Sequence, residues 1–326
     1  MDGVKLDRET DALLSWVASR KATPMPALSL QAARQEYRRT LSKTEIDPPG
    51  IGPVLEHVVG GPGGALPLRI YNPIDRCDRA PGLLFIHGGG CVVGDLDTHD
   101  TFCRTLCADV GAVVVAVDYR LAPEHPFPAA VEDGMAALSW LSLNAGSLGI
   151  DRERIAIAGD SAGGGIAAVS VHETRGRLAA PLKAQVLIYP ALDLKARLPS
   201  RRTFSEIFPI PADLIDWFHN QYFGEAWPRT DPRAFPLLYP DYGDLPPALI
   251  VTAGHDPLLD EAIEYADVLA AGGTDVDYWC AEGTIHGFMN MGRVLRTAYR
   301  SGRARIAQYL TERLRPLPVS ADAARR

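Results

Sequence analysis

The chain has 326 residues, 47% of them hydrophobic and 22% charged. That is enough apolar material for a large core and too even a mixture for a disordered or low-complexity protein. Lys and Arg number 33 against 40 Asp and Glu, a net charge of -7, which removes the electrostatic reason to expect a nucleic-acid partner. Residues Met1 to Glu9 interleave charges where a signal peptide needs an apolar stretch, and no run approaches the roughly 18 apolar residues of a membrane span. Neither secretion nor a membrane is expected. The five cysteines (77, 91, 103, 107 and 280) contain no C-x-x-C pair and fit a reducing cytoplasm, with Cys103 and Cys107 read as small core residues.

In chain order, residues 1–50 read as two helices, over 6–18 and 28–41, separated by Pro24 and Pro26. Short apolar runs then alternate with helical stretches. Strands are expected over 68–71, 83–87, 113–117, 155–158, 186–189, 249–253 and 276–280, and helices over 101–109, 129–144, 164–175, 258–271 and 292–314. Several of the strands are continuous Val, Ile and Leu runs, the pattern of strands covered on both faces. Strand, helix, strand repeated in this way predicts an α/β class with a doubly wound, mostly parallel sheet. No internal repeat is present.

Residues 195–243 break that rhythm and hold ten of the 25 aromatic side chains: Phe204, Phe208, Trp217, Phe218, Tyr222, Phe223, Trp227, Phe235, Tyr239 and Tyr242. A proportional share would be under four, so the segment is either a satellite core beneath long loops or a lid with an apolar binding cleft. Arg293, Arg296, Arg300 and Arg303, on adjacent turns of the last helix, read as a solvated face rather than an anion site.

The chemistry concentrates in four places. Gly159-Asp160-Ser161-Ala162-Gly163 follows the run Ile155 to Ala158 and opens a helix, which is the context G-x-S-x-G needs to present a serine at a sharp strand-to-helix turn. An overlapping G-x-G-x-x-A pattern at Gly163, Gly165 and Ala168 lacks the acidic residue that a dinucleotide site carries about 20 positions on. His87-Gly88-Gly89-Gly90 follows another strand and matches the loop that supplies oxyanion donors. A nucleophilic serine needs a base and an orienting acid, which in this kind of sheet come later in the chain. Asp256 and His286 both fall just after late strands, at the carboxyl edge of the sheet, whereas Asp260 reads as a first-turn residue and His255 as badly aimed. No metal or organic cofactor is signalled, and H-E-x-x-H is absent.

Together with Asp118-Tyr119-Arg120-Leu121-Ala122-Pro123-Glu124-His125 and Ile285-His286-Gly287-Phe288, these motifs resemble the hormone-sensitive-lipase-like family of α/β-hydrolases, bacterial esterase family IV. The resemblance spans about residues 65–315, and Asp160 matches the branch with G-D-S-A-G. It implies an α/β-hydrolase catalytic domain over 51–194 and 244–326, an N-terminal cap segment over 1–50 and an aromatic-rich cap insertion over 195–243. It further implies a carboxylesterase with Ser161, Asp256 and His286 as a triad and the N–H groups of Gly89, Gly90 and Ala162 as oxyanion donors, acting on a small-molecule ester without a cofactor. A homodimer is an expectation from the resemblance alone. Cys91 stands where the family has an aromatic residue lining the pocket. An amidase or peptidase, or a non-catalytic binding protein on the same fold, are the rival readings.

Overall fold

A computed structural model of the chain describes residues 5–20, 22–193, 198–225 and 227–316. The segments called above therefore run outside the described residues at 1–4, 21, 194–197, 226 and 317–326.

Eight strands form one sheet: β1 (Val54–Gly61), β2 (Gly64–Tyr71), β3 (Ala80–Ile86), β4 (Val113–Val117), β5 (Ile150–Asp160), β6 (Ala184–Ile188), β7 (Ala248–His255) and β8 (Val276–Ile285). Their spatial order is β1-β2-β4-β3-β5-β6-β7-β8. β2 runs antiparallel to β1 and β4, and every pair from β4 across to β8 is parallel. The fold is that of an α/β-hydrolase. Seven strands lie where the apolar runs placed them. β1 went unread because it sits at the sheet's edge with Leu55 and Val58 mainly exposed, so neither a buried run nor an alternation marks it.

The helices are α1 (Arg8–Ala18), α2 (Leu30–Thr44), α3 (Asp100–Val110), α4 (Ala129–Asn144), α5 (Ala162–Thr174), α6 (Pro199–Thr203), α7 (Ala212–Phe223), α8 (Leu259–Ala271) and α9 (Arg296–Arg313). Side chains alternate across β3, so Leu84 and Ile86 join the layer with α4, α5 and α8, while Leu83 and Phe85 join the layer with α3 and α9. Cys103 and Cys107 are buried in the second layer. The last helix starts four residues later than its periodicity suggested, because Gly292 is pressed between Tyr299 and Ile46 and residues 293–295 form the turn. Of the four arginines read as one solvated face, Arg293 lies in the turn before the helix and makes an exposed pair with Asp47 at 2.9 Å, while the half-buried Arg303 grips Asp109 of α3 at 2.7 Å. Among the described residues no helix is long and apolar enough to cross a membrane.

α6 and α7 lie within the aromatic-rich segment. Its rings divide between two tasks: Phe235 is sealed in the core against Phe223, while Phe208, Phe218 and Tyr222 face a cavity over the carboxyl edge of the sheet.

Candidate active site

β5 delivers Ser161 to the sheet's carboxyl edge and α5 begins at the next residue. Ser161 adopts φ 54°, ψ −121°, a conformation that side chains rarely occupy and that costs on the order of 1–3 kcal/mol. The surroundings hold it there. Its N–H donates to Ile188 O at 2.8 Å, and its carbonyl accepts from Ala191 N at 3.0 Å and Gly165 N at 3.1 Å. A Cβ on Gly159 would fall 2.3 Å from Gly163 O, and one on Gly163 would fall 2.1 Å from Ile86 O. Both are backbone obstacles that cannot step aside, so only glycine permits this turn. Gly165 meets Ala191 O at 2.3 Å in the same test, so close packing against the next loop accounts for the glycines that mimicked a dinucleotide fingerprint.

β7 and β8 are parallel neighbours, and the residues that follow them therefore emerge at the same edge as Ser161. Asp256 Oδ2 lies 2.7 Å from His286 Nδ1, and His286 Nε2 lies 3.0 Å from Ser161 Oγ. Asp256 Oδ1 accepts the Leu258 N–H at 2.8 Å, which fixes the carboxylate's orientation. Both Asp256 and His286 are buried. An ionised carboxylate only accepts hydrogen bonds, so Nδ1 carries the ring proton and Nε2 presents its lone pair to the serine hydroxyl. That is the tautomer in which a histidine can take a proton from serine. His255 contacts Glu282 O at 3.1 Å instead, and Asp260 sits in the first turn of α8, where it accepts the Ser200 N–H at 2.7 Å.

Facing the elbow, the loop after β3 bends through three consecutive positive-φ residues, Gly89 (114°), Gly90 (62°) and Cys91 (60°). A Cβ on Gly89 would meet Val93 O at 2.1 Å and one on Gly90 would meet the Phe218 ring at 2.3 Å. Among the described residues the N–H groups of Gly89, Gly90 and Ala162 donate to nothing. For Ala162 this is the ordinary state of a helix's first residue.

A buried polar cluster that the sequence reading passed over ties this loop to the elbow. Asp160 Oδ1 accepts the Gly88 N–H at 2.8 Å and lies 3.3 Å from His99 Nε2, while Oδ2 accepts from Asn290 Nδ2 at 3.2 Å. Burial alone would push the Asp160 carboxyl up, but the charge of His99, its hydrogen bond and the Gly88 N–H together hold it below the usual range. Burial likewise opposes a charge on His99, and Asp160 overcomes it and raises the imidazole above its ordinary value. His87, stacked on Tyr119 at 4.2 Å, is driven the other way, down to about 4, by burial and by the charge of His99. The sequence reading took Asp160 only as a branch marker. His99 and Asn290 carry no local signal, since Asn290 meets Asp160 across 130 positions.

The elbow, base and glycine loop open onto one cavity of about 530 Å³. Val17, Met25 and Tyr37 from the first 50 residues and Phe208, Phe218 and Tyr222 from the aromatic segment supply much of its apolar wall. Cys91 is buried in that wall, and burial pushes its thiol up to about 12, so it is present as the neutral thiol.

Residues 83–290 match the family model described as the alpha/beta hydrolase fold. The chain is 38% identical to an ethyl acetate hydrolase of Pseudomonas putida over 284 residues, covering 85% of this chain and 89% of that protein. It is 42% identical to esterase LipI of Mycobacterium tuberculosis over 248 residues, covering 75% and 78%. Among solved structures, a hyperthermophilic esterase from the archaeon Pyrobaculum calidifontis superposes with a TM-score of 0.87 at 38% identity, over 95% of this chain and 99% of that one. With a serine elbow, a facing histidine and a glycine loop opening onto one cavity, the chain belongs to the hormone-sensitive-lipase-like family of the α/β-hydrolase fold and is a carboxylic ester hydrolase.

Proposed function

We propose that Ser161, His286 and Asp256 carry the ester hydrolysis through an acyl-enzyme, with the N–H groups of Gly89, Gly90 and Ala162 as the oxyanion hole and short-to-medium acyl esters as substrates. The observation that carries this reading is the unbroken contact chain Asp256–His286–Ser161, at 2.7 Å and 3.0 Å. As the Ser161 Oγ bond to the ester carbonyl carbon forms, the hydroxyl proton passes to His286 Nε2 and the carbonyl π electrons move onto oxygen. Asp256 stabilises the resulting imidazolium, and the unpartnered N–H groups receive the oxyanion. The same proton then goes to the leaving alcohol oxygen as its bond to carbon breaks. Water repeats the sequence to free the acid and restore the serine.

The apolar cavity supports an acyl chain of limited length, as does the resemblance to a protein named for ethyl acetate. The helices of residues 1–50 and 195–243 that line it act as the cap. An amide substrate would need the same machinery, but nothing in the site favours it. A binding protein on this fold has no use for a base aimed at the serine. Ser161→Ala tests the reading directly: turnover of p-nitrophenyl butyrate is expected to fall by about 10⁶ while the fold persists. Retention of even a tenth of the wild-type rate would show that the nucleophile is elsewhere.

A further inference from the structure

Within the mainly apolar wall of the same cavity stand two nitrogen-rich side chains whose hydrogen bonding is incomplete. Arg201, on the short helix α6, is 8% exposed. Its Nη2 donates to Glu261 Oε2 at 3.1 Å and reaches Asp193 O at 3.4 Å, but Nε is sealed without an acceptor and Nη1 has none among the described residues. His219, on α7, is 7% exposed and touches the rings of Phe223 and Trp227, yet neither ring nitrogen has a hydrogen-bond partner among the described residues. A sealed donor without an acceptor, as at Arg201 Nε, is uncommon in native proteins, and beside it Arg201 Nη1 and the His219 ring stay accessible with no protein partner among the described residues.

The electrostatics define what such a place can hold. Burial and then the nearby charge of Arg201 push His219 down to about 3, so it is a neutral ring with one N–H to give. Arg201 already has its counter-charge in Glu261, itself pushed up to about 7 by burial in spite of Arg201. A second carboxylate would bring surplus negative charge into a mainly apolar wall, whereas a neutral carbonyl or ether oxygen accepts from Arg201 Nη1 and the His219 ring N–H and adds no charge.

We propose that Arg201 and His219 form a polar subsite that binds a neutral oxygen acceptor on the non-reacting chain of the ester, so that oxo-substituted esters are preferred over their plain alkyl counterparts. This rests on the ester-hydrolase reading, and it deepens that reading by naming the substrate's second recognition element. Donors left empty by an alkyl chain and filled by an oxo group discriminate between the two, and a hydrogen bond from such groups is expected to contribute about 10- to 100-fold.

The test compares kcat/KM for p-nitrophenyl esters of 4-, 5- and 6-oxo acids with alkanoates of equal length, and for butyrates of hydroxyketones with butyrates of the matching alcohols. At least one oxo ester should be favoured about tenfold or more, and Arg201→Met and His219→Phe should each bring that ratio towards one. Should Arg201→Met not fold, the wild-type ratio and His219→Phe still decide. Ratios near one throughout, or ratios that both variants leave untouched, would overturn the subsite. A preference for half-esters of dicarboxylic acids over the oxo esters would overturn its neutral character. Loss of this proposal leaves Ser161→Ala inactive, whereas failure of the underlying reading leaves Ser161→Ala active, so the two are separable.

Discussion

At the scale of single residues, the clearest division of labour is between Ser161 and the residue before it. Ser161 sits in a strained conformation on the cavity, and the buried Asp160 beside it holds Gly88, His99 and Asn290. Asp160→Asn keeps the shape and an oxygen for the Gly88 N–H but removes the charge that faces His99, so the glycine loop is held less firmly while Ser161, His286 and Asp256 stay in place. On the proposed reading, in which the loop's N–H groups receive the oxyanion, the expected result is a drop in kcat of about 100-fold with KM little changed, because displacing such a donor acts on the transition state rather than on substrate binding. Steady-state kinetics normalised by active-site titration check it, and a kcat within threefold of wild type would remove Asp160 from the mechanism. The candidate triad was legible in the sequence because each member sits just past an apolar run, so strand ends and residue chemistry point to the same edge. The Asp160 cluster was not, because its contacts exist only once the loop after β3, α3 and the turn before α9 have packed together.

At the scale of elements, the strand-to-helix turn and the first 50 residues make different demands. The elbow tolerates no side chain at Gly163, and Gly163→Ala is expected to destabilise by about 3 kcal/mol or to prevent folding, which a thermal melt would show. A stable Gly163→Ala protein would mean that the turn is less crowded than described. α1 and α2 are pinned beside the site rather than to a separate body. Asp7 N donates to Gly283 O at 2.9 Å, Thr10 Oγ1 lies 3.1 Å from Thr284 Oγ1, and Arg34 Nε donates to Val92 O at 2.9 Å while its guanidinium grips Glu124. Those contacts join the segment to the approach to His286 and to the glycine loop. Removing residues 1–50 should therefore lower kcat/KM by at least about tenfold, by opening the apolar cavity to water. Unchanged kinetics in the truncated protein would count against a cap role. Helical periodicity revealed α1 and α2, but it gave no hint of which surface they cover, since that depends on loops far along the chain. α7 was hidden for a related reason: its apolar residues serve the core and the cavity at once, so no single stripe stands out.

At the scale of the whole molecule, buried titratable groups of both kinds set how stability responds to acid. Burial is the leading cause that lowers His87 and His172 to about 4 and His219 to about 3. Each therefore binds a proton more readily in the unfolded chain, whose histidines titrate near 6.5. Each of these histidines should withdraw up to about 3 kcal/mol as pH drops from about 6.5 towards 4, while Glu45 and Glu261, raised to about 7 by burial, act with the opposite sign over the same range. His99 has the opposite sign: the stability it contributes is complete below about pH 6.5 and is lost as pH rises through its elevated folded value. Denaturant melts across pH 4 to 9 should show His172→Phe gaining stability relative to the wild type as pH falls, and an equal slope in the two proteins would contradict the assignment.

The cavity also sets a length scale for the substrate. Affinity should grow by about 0.8 kcal/mol for each methylene buried and then stop where the wall ends, so kcat/KM should peak between about two and eight acyl carbons. Cys91→Trp, filling space beside the glycine loop, should move that peak to shorter chains. A profile that climbs to palmitate, or that jumps when substrate forms micelles, would indicate an interfacial lipase instead. The central claim, that one buried contact chain makes Ser161 the nucleophile, is tested most directly by treating the enzyme with diethyl p-nitrophenyl phosphate and locating the label by mass spectrometry. The predicted result is one diethylphosphoryl group per chain, on Ser161, with esterase activity lost in proportion to labelling. Complete inactivation with Ser161 unmodified, or full modification of Ser161 with activity intact, would contradict it.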